Sequence, residues 1–164
     1  MADETLHYMT PHGYAILEKE LFFLSHEKRP KIVDIVSWAA GNGDRSENGD
    51  YIYNKKLLRQ IDRRMRYLTK RLENSKIVDP KQQQNLDRVF FGAQVTYAKE
   101  DDSEVMVRLV GVDEADFDLG KINWLSPVGK ALLKSQEGDI VKVHIETEAE
   151  WIEILEISYP LDTD

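Results

Sequence analysis

Eight positions in the first half of the chain fall on one alternating 3-4 repeat: Tyr51, Asn54, Leu58, Ile61, Met65, Leu68, Leu72 and Ser75. That spacing keeps a narrow stripe of a helix facing a single neighbour, which is the seam of a coiled coil. Such a stripe is too narrow to seat a helix in a globular core, so the segment is predicted to project as a rod. Its partner lies upstream. Tyr14, Leu17, Leu21 and Leu24 share the spacing, and the pattern resumes through Ile32, Ile35, Val36 and Ala39. Thr10-Pro11 reads as an N-cap followed by proline at the first helical position. Pro30 lacks an amide donor and predicts a kink or a restart. Gly41 and Gly43 end the first helix, and the second is expected from about residue 47 to 74. The short connection forces the two arms antiparallel. At about 1.5 Å per residue, each arm spans roughly 40 Å.

Beyond Ile77-Val78-Asp79-Pro80 the period changes to 2. Residues 89–97, 105–110, 140–145 and 151–157 read as strands. Ser126-Pro127 opens a short capped helix that continues through Leu133. The expected fold class is α+β: a helical hairpin over 1–79 and, over 80–164, a small antiparallel sheet with one short helix against it. There is no internal repeat.

Charge is divided along the chain. The net charge is −8. Residues 55–76 carry nine basic and two acidic side chains, a net +7, whereas 77–164 carry eight basic and nineteen acidic, a net −11. A polyanion contact is therefore expected on one helix only. Lys55, Lys56, Arg59, Arg63, Arg66 and Lys70 fall within roughly 100° of arc, away from the seam. Long solvated side chains are one reading of that face. Contact with phosphates is the other, because ordinary solvated faces mix signs. Tyr51, Tyr53 and Tyr67 are candidates to stack on bases, with Tyr51 also a seam position. Nothing supplies a base-reading code, so binding is expected to tolerate sequence.

The connection between the arms, Gly41-Asn42-Gly43-Asp44-Arg45-Ser46-Glu47-Asn48, presents two carboxylates outward. Asp44 and Glu47 have capping-box spacing, with Asp44 as N-cap of the second helix and Glu47 bonding back. The same two acids also suit Mg²⁺, which often takes only one or two protein carboxylates. A bare tip does not make a tight isolated site, so the other ligands would belong to a partner. Ser46 is an alternative cap that would free Asp44.

Other chemistry is sparse. There is no Cys, which excludes thiolate metal sites and disulfides and fits a reducing cytoplasm. The N-terminus has no hydrophobic signal segment, and no run approaches a membrane span, so no membrane partner is expected. His7, His12, His26 and His144 lack metal-ligand spacing. Trp38 is either a partner anchor or a cap on the end of the seam. Asp113-Glu114-Ala115-Asp116 reads as loop charge.

Taken together, Trp38-Ala39-Ala40, Gly43 to Asn48, Asp50-Tyr51, Tyr53 to Lys56, Ile61 to Arg64 and Arg66 to Lys70 resemble the GreA/GreB family of bacterial transcript cleavage factors. Phe91-Gly92-Ala93, Val110-Gly111, Asp113-Glu114 and Ser126-Pro127 with Ala131-Leu132-Leu133 extend the resemblance over nearly the whole chain. It implies an N-terminal antiparallel coiled coil and a C-terminal FKBP-like domain. It implies a monomeric cytoplasmic factor that is not itself an enzyme but binds bacterial RNA polymerase. The second domain would grip the rim of the secondary channel near Leu125, Ser126 and Pro127. The hairpin would enter the channel. Asp44 and Glu47 would help hold a Mg²⁺ shared with the polymerase, so that the 3′ segment of a backtracked RNA is hydrolysed, with the basic face holding that RNA. Family members usually have alanine where Gly49 stands and a polar or acidic residue where Leu125 stands. Two rival functions are a non-cleaving regulator that uses the same channel and a prolyl isomerase. No aromatic-rich pocket pattern in the sequence supports the isomerase.

Overall fold

The computed structural model describes residues 6–43, 45 and 47–161. It divides into two compact units: Ala15–Asn74, and a second built from residues 6–14 together with 75–161. No described helix is long and apolar enough to cross a membrane.

In the first unit, α1 (Pro11–Phe23, its first residues belonging to the second unit) leads through a π turn at Leu24–Lys28 into α2 (Arg29–Ala40). Then α3 runs over Gly49–Glu73. The arms are antiparallel, as three contacts between them show. Asn48 reaches Ala39, Asp62 pairs with Arg29, and Arg64 pairs with Glu20. At about 1.5 Å per residue, the 25 residues of α3 span about 37 Å. The seam follows the repeat: Asn54, Ile61 and Leu68 are buried, seven residues apart, and Leu58, Met65 and Leu72 half-buried.

The restart expected at Pro30 is present: α2 begins at Arg29 with Pro30 in its first turn, and a π turn precedes it. Leu17, Leu24, Ile32 and Ala39 are the first arm's buried positions, and their spacing is 7, 8, 7. The π turn absorbs the extra residue, with the Arg29 amide donating to the Leu24 carbonyl. Pro30 has no amide for the ordinary bond and its ring crowds the preceding turn, so a wide turn just upstream relieves both problems. Ile35, expected on the seam, is exposed.

Two ion pairs tie the arms together. Arg64 meets Glu20 bidentately, at 2.6 and 2.9 Å, and holds that carboxyl below the usual range. Arg29 Nε donates to Asp62 at 2.7 Å. Both pairs are partly exposed, so solvent screens them and each adds little to stability.

In the second unit, β1 (His7–Met9) pairs in parallel with β2 (Ser75–Ile77). The main sheet contains β3 (Gln94–Ala98), β4 (Glu104–Val110), β5 (Lys121–Asn123), β6 (Ile140–Ile145) and β7 (Glu148–Ser158). Its order is β5-β4-β3-β7-β6. Three neighbouring pairs are antiparallel, but β5 runs parallel to β4, so the sheet is mixed rather than wholly antiparallel. The α4 helix (Pro127–Leu132) buries Leu132 in the core with Val95, Tyr97, Leu109, Val143 and Ile154.

The strand expected over 89–97 is shorter. Gly92 has φ +89°, which turns the chain. The Val89 amide donates to the Ser135 carbonyl and the Phe90 amide to the Tyr159 hydroxyl. These residues therefore pair with a loop, and β3 begins only at Gln94. In β7 the inward residues Ile152, Ile154 and Ile157 break strict alternation, because the register shifts by one residue opposite Thr96/Tyr97.

Glu114, read above as loop charge, is a fixed structural acceptor. Its carboxylate accepts from the Thr10 amide at 3.1 Å, from the Thr10 hydroxyl and from the Gly111 amide at 3.1 Å. Thr10 Oγ1 in turn accepts from the Gly13 amide at 3.0 Å, which makes Thr10 the cap of α1.

Candidate functional site

The end of the hairpin is built by Asn48. Its Oδ1 accepts from the Tyr51 amide at 3.1 Å, capping α3, and its Nδ2 donates to the Ala39 carbonyl at 2.7 Å, at the end of α2. Amides from Gly41 and Asn42 close the last turn of α2 onto Trp38 and Ala39, and Gly43 takes φ +113°. The N-cap of α3 is therefore Asn48, four residues beyond the position that the capping-box spacing pointed to. Once Asn48 occupies the cap, Glu47 lies outside the helix and has no capping role. It is exposed, with no hydrogen bond or ion pair among the described residues. Asp44 and Ser46 lie outside the described residues.

Trp38 does not close the seam, which Ala39 does. The Trp38 side chain is 62% exposed while Ala39 is fully buried.

Along α3, Lys55, Lys56, Arg59, Arg63, Arg66 and Lys70 are all exposed. Among the described residues none of the six forms an ion pair or a side-chain hydrogen bond. The cations outside that arc behave differently. Arg64 is committed to Glu20, and Arg71 donates to the Tyr67 hydroxyl at 2.7 Å. The structure thus separates cations engaged by neighbouring side chains, across the arms for Arg64 and along α3 for Arg71, from a stripe left to solvent. Arg29, on the opposite arm, lines a shallow groove with Asp62, Met65, Arg66, Thr69 and Lys70 beside that stripe.

In the second unit Ser126 caps α4 by accepting from the Gly129 amide at 3.2 Å. Leu125 and Pro127 stand exposed on either side of it. The Leu125 amide donates to Asn123 Oδ1 at 3.1 Å, which fixes the turn into the helix. Gly129 is required there, since a Cβ would lie 2.4 Å from the Trp124 carbonyl oxygen.

Beside this turn is a cluster that sequence reasoning missed. Tyr8, Phe91 and Trp124 meet pairwise with ring centroids 5.2–5.7 Å apart. With Phe90, Ile77 and Leu133 they line a cleft of about 440 Å³. An aromatic pocket therefore exists, although its residues are scattered through the sequence. Gln83, 8% exposed, donates from Nε2 to the Phe91 carbonyl at 2.8 Å and closes one wall.

Residues 7–77 match the model of the transcription elongation factor GreA/GreB N-terminal domain, and 82–159 match that of the C-terminal domain. The chain belongs to the GreA/GreB family. It is 50% identical to transcription elongation factor GreB of Neisseria meningitidis serogroup B over 97% of this chain and 98% of that protein. It is 48% identical to GreB of Yersinia pestis over 96% of this chain and 92% of that protein. The GreA homologue Gfh1 of Thermus thermophilus is 22% identical, with a TM-score of 0.42 over 92% of this chain and 97% of its own. At that score the likeness adds nothing to the family assignment.

Within a GreA/GreB chain, the two departures noted in the sequence have clear settings. Gly49 is the first residue of α3, and a Cβ there would have nothing within 4 Å, so no close contact demands glycine. Leu125 is 48% exposed at the start of α4, an apolar side chain where a polar one would meet solvent equally well.

Proposed function

We propose that this elongation factor binds bacterial RNA polymerase through its secondary channel and stimulates endonucleolytic cleavage of backtracked RNA, so that arrested complexes resume. The observation that carries this reading is the state of Glu47: a carboxylate at the end of a rod, released from helix capping by Asn48 and without a partner among the described residues. A carboxylate held free in this way is suited to ligate an ion supplied elsewhere.

The donor set fits Mg²⁺, which takes oxygen ligands and accepts one or two carboxylates with the rest of its shell from water and phosphate. In this reading Asp44 and Glu47 complete a shared site only when the factor is docked. Held there by Asp44 and Glu47 together with the polymerase, such an ion would supply charge stabilisation for the attacking and leaving oxygens. Glu47 contributes charge and position at the tip. Lys55, Lys56, Arg59, Arg63, Arg66 and Lys70 hold the extruded RNA by its phosphates, and the exposed start of α4 at Leu125, Ser126 and Pro127 docks on the channel rim. In this reading the factor lends only part of a site, and RNA alone is not cut by it.

The test uses stalled, backtracked transcription complexes. Wild type shortens the transcript from its 3′ end. Asp44→Asn and Glu47→Gln abolish that shortening and still compete with wild type for the polymerase. Full stimulation by both variants overturns the assignment of the tip. Competition without shortening by wild type would make the protein a non-cleaving occupant of the channel.

A further inference from the structure

Three tyrosines lie along α3, and the structure sorts them. Tyr51 is half-buried with the Arg45 guanidinium 5.5 Å from its ring centroid. Tyr67 has two guanidiniums over its ring, Arg64 at 5.3 Å and Arg71 at 5.0 Å. Tyr53 is 67% exposed and has no ring, cation or hydrogen-bond partner among the described residues. It is the one ring of the three whose faces are open.

Its position relative to the basic stripe gives that openness a use. Lys56, Arg59, Arg63, Arg66 and Lys70 alternate 3 and 4 residues apart, so they stay on one line along the helix. The next step toward the tip falls on Ile52, which is apolar and 49% exposed. Tyr53 flanks the same step on the other side, roughly 60° around the helix from Lys56 and about 100° from Ile52. The stripe thus ends, on the side of Glu47, in an apolar side chain and an open aromatic ring. A single strand following the cations by its phosphates meets no cation at this last step. The surface there suits a base instead.

We infer that Tyr53 is a stacking platform for an unpaired nucleobase of the RNA held on the stripe, where the line of cations gives way to the apolar Ile52. The inference rests on the proposed function, and it adds a substrate-contacting residue at the tipward end of the track. Stacking is indifferent to base identity, because every base presents a π face, so the platform fixes the strand near the reacting bond without reading sequence. Continuity with an unpaired cationic stripe favours RNA over a protein wall as the occupant.

The experiment compares wild type, Tyr53→Phe and Tyr53→Ala in backtracked complexes whose 3′ segment carries either normal nucleotides or a single abasic site, moved one position at a time. Tyr53→Phe keeps the wild-type maximal cleavage rate. Tyr53→Ala lowers it by about tenfold, the scale of one lost stack, with the half-saturating factor concentration unchanged. At one position the abasic site slows wild type to the level of Tyr53→Ala and does not slow Tyr53→Ala further. Equal rates for wild type and Tyr53→Ala overturn the inference and leave the proposed function standing. So does a Tyr53→Ala defect confined to the half-saturating concentration and insensitive to the abasic site, which would assign the ring to a protein surface. Absence of cleavage with wild type would overturn the proposed function, and this inference with it.

Discussion

The side-chain amide of Asn48 donates to the backbone carbonyl of Ala39 across 2.7 Å, joining the last turn of one helix to the first turn of the next. The same side chain accepts from the Tyr51 amide. Asn48→Ala removes both bonds and is expected to destabilise the hairpin by about 1–2 kcal/mol. Asn48→Asp keeps the cap, turns a carboxylate toward the carbonyl, and loses about half as much. Urea unfolding ranks the variants, and faster hydrogen exchange at Tyr51 in Asn48→Ala places the loss at the tip.

The stripe and the inter-arm pairs should separate in experiment. Arg59→Glu, Arg63→Glu and Arg66→Glu together break no ion pair among the described residues, so the unfolding midpoint should stay near wild type. RNA crosslinking should fall, and the salt dependence of RNA binding should flatten by about 0.7 in log–log slope per lost phosphate contact. Arg64→Ala should show the converse: a small loss of stability with little change in that slope. A large stability loss in the triple variant would mean that these cations brace the rod.

Gly49 opens α3 with empty space where a Cβ would sit. Gly49→Ala is therefore expected to stabilise the hairpin, by no more than about 1 kcal/mol, because the position is at the helix start rather than its interior. A higher thermal midpoint would show it. Lower stability would mean that the tip requires glycine for a reason other than space.

Glu114 accepts the Thr10 amide and hydroxyl at the start of α1 and the Gly111 amide in its own loop. Glu114→Ala is expected to cost about 2–3 kcal/mol, well beyond an ordinary surface change. Denaturant unfolding checks this, and a loss under 0.5 kcal/mol, the scale of a neutral surface substitution, would return Glu114 to the status of loop charge.

Burial, and secondarily the charge of Glu150, push the Tyr97 hydroxyl above its ordinary value. The folded state therefore holds this proton more tightly than the unfolded chain does. Its contribution is fully present below about pH 10, the unfolded value, and is lost as pH rises through the folded one. Tyr97→Phe should make unfolding free energy less steep against pH in that alkaline range. An unchanged slope would assign the alkaline loss elsewhere, with Tyr159, also raised by burial, as the next candidate.

The rod was legible because its signal is long and periodic: the α3 seam and the arc of six cations follow from spacing alone. The principal strands were legible through alternation. Strands β1, β2 and β5 are three residues each, too short for any period, and β5 is what makes the sheet mixed. The capping-box spacing pointed to Asp44, with Ser46 as the alternative, and missed Asn48, whose selection depends on its also reaching the Ala39 carbonyl, a distance no sequence pattern encodes. Glu114 and the Tyr8–Phe91–Trp124 cluster were illegible for the same reason: their partners lie far off in the chain. The three tyrosines looked alike as letters and differ only by the guanidiniums that cover two of them.

The wide turn at Leu24–Lys28 makes tolerance to a change in chain length uneven along the first arm. Losing one residue there would restore an ordinary helix and leave Leu17, Leu24, Ile32 and Ala39 on one side of it. The same loss anywhere between the turn and Ala39 would swivel everything beyond it by about 100°, drawing the Ala39 carbonyl away from the Asn48 amide. Length variation that spares the business end of the molecule is thereby confined to a single place, about three turns before the end of α2.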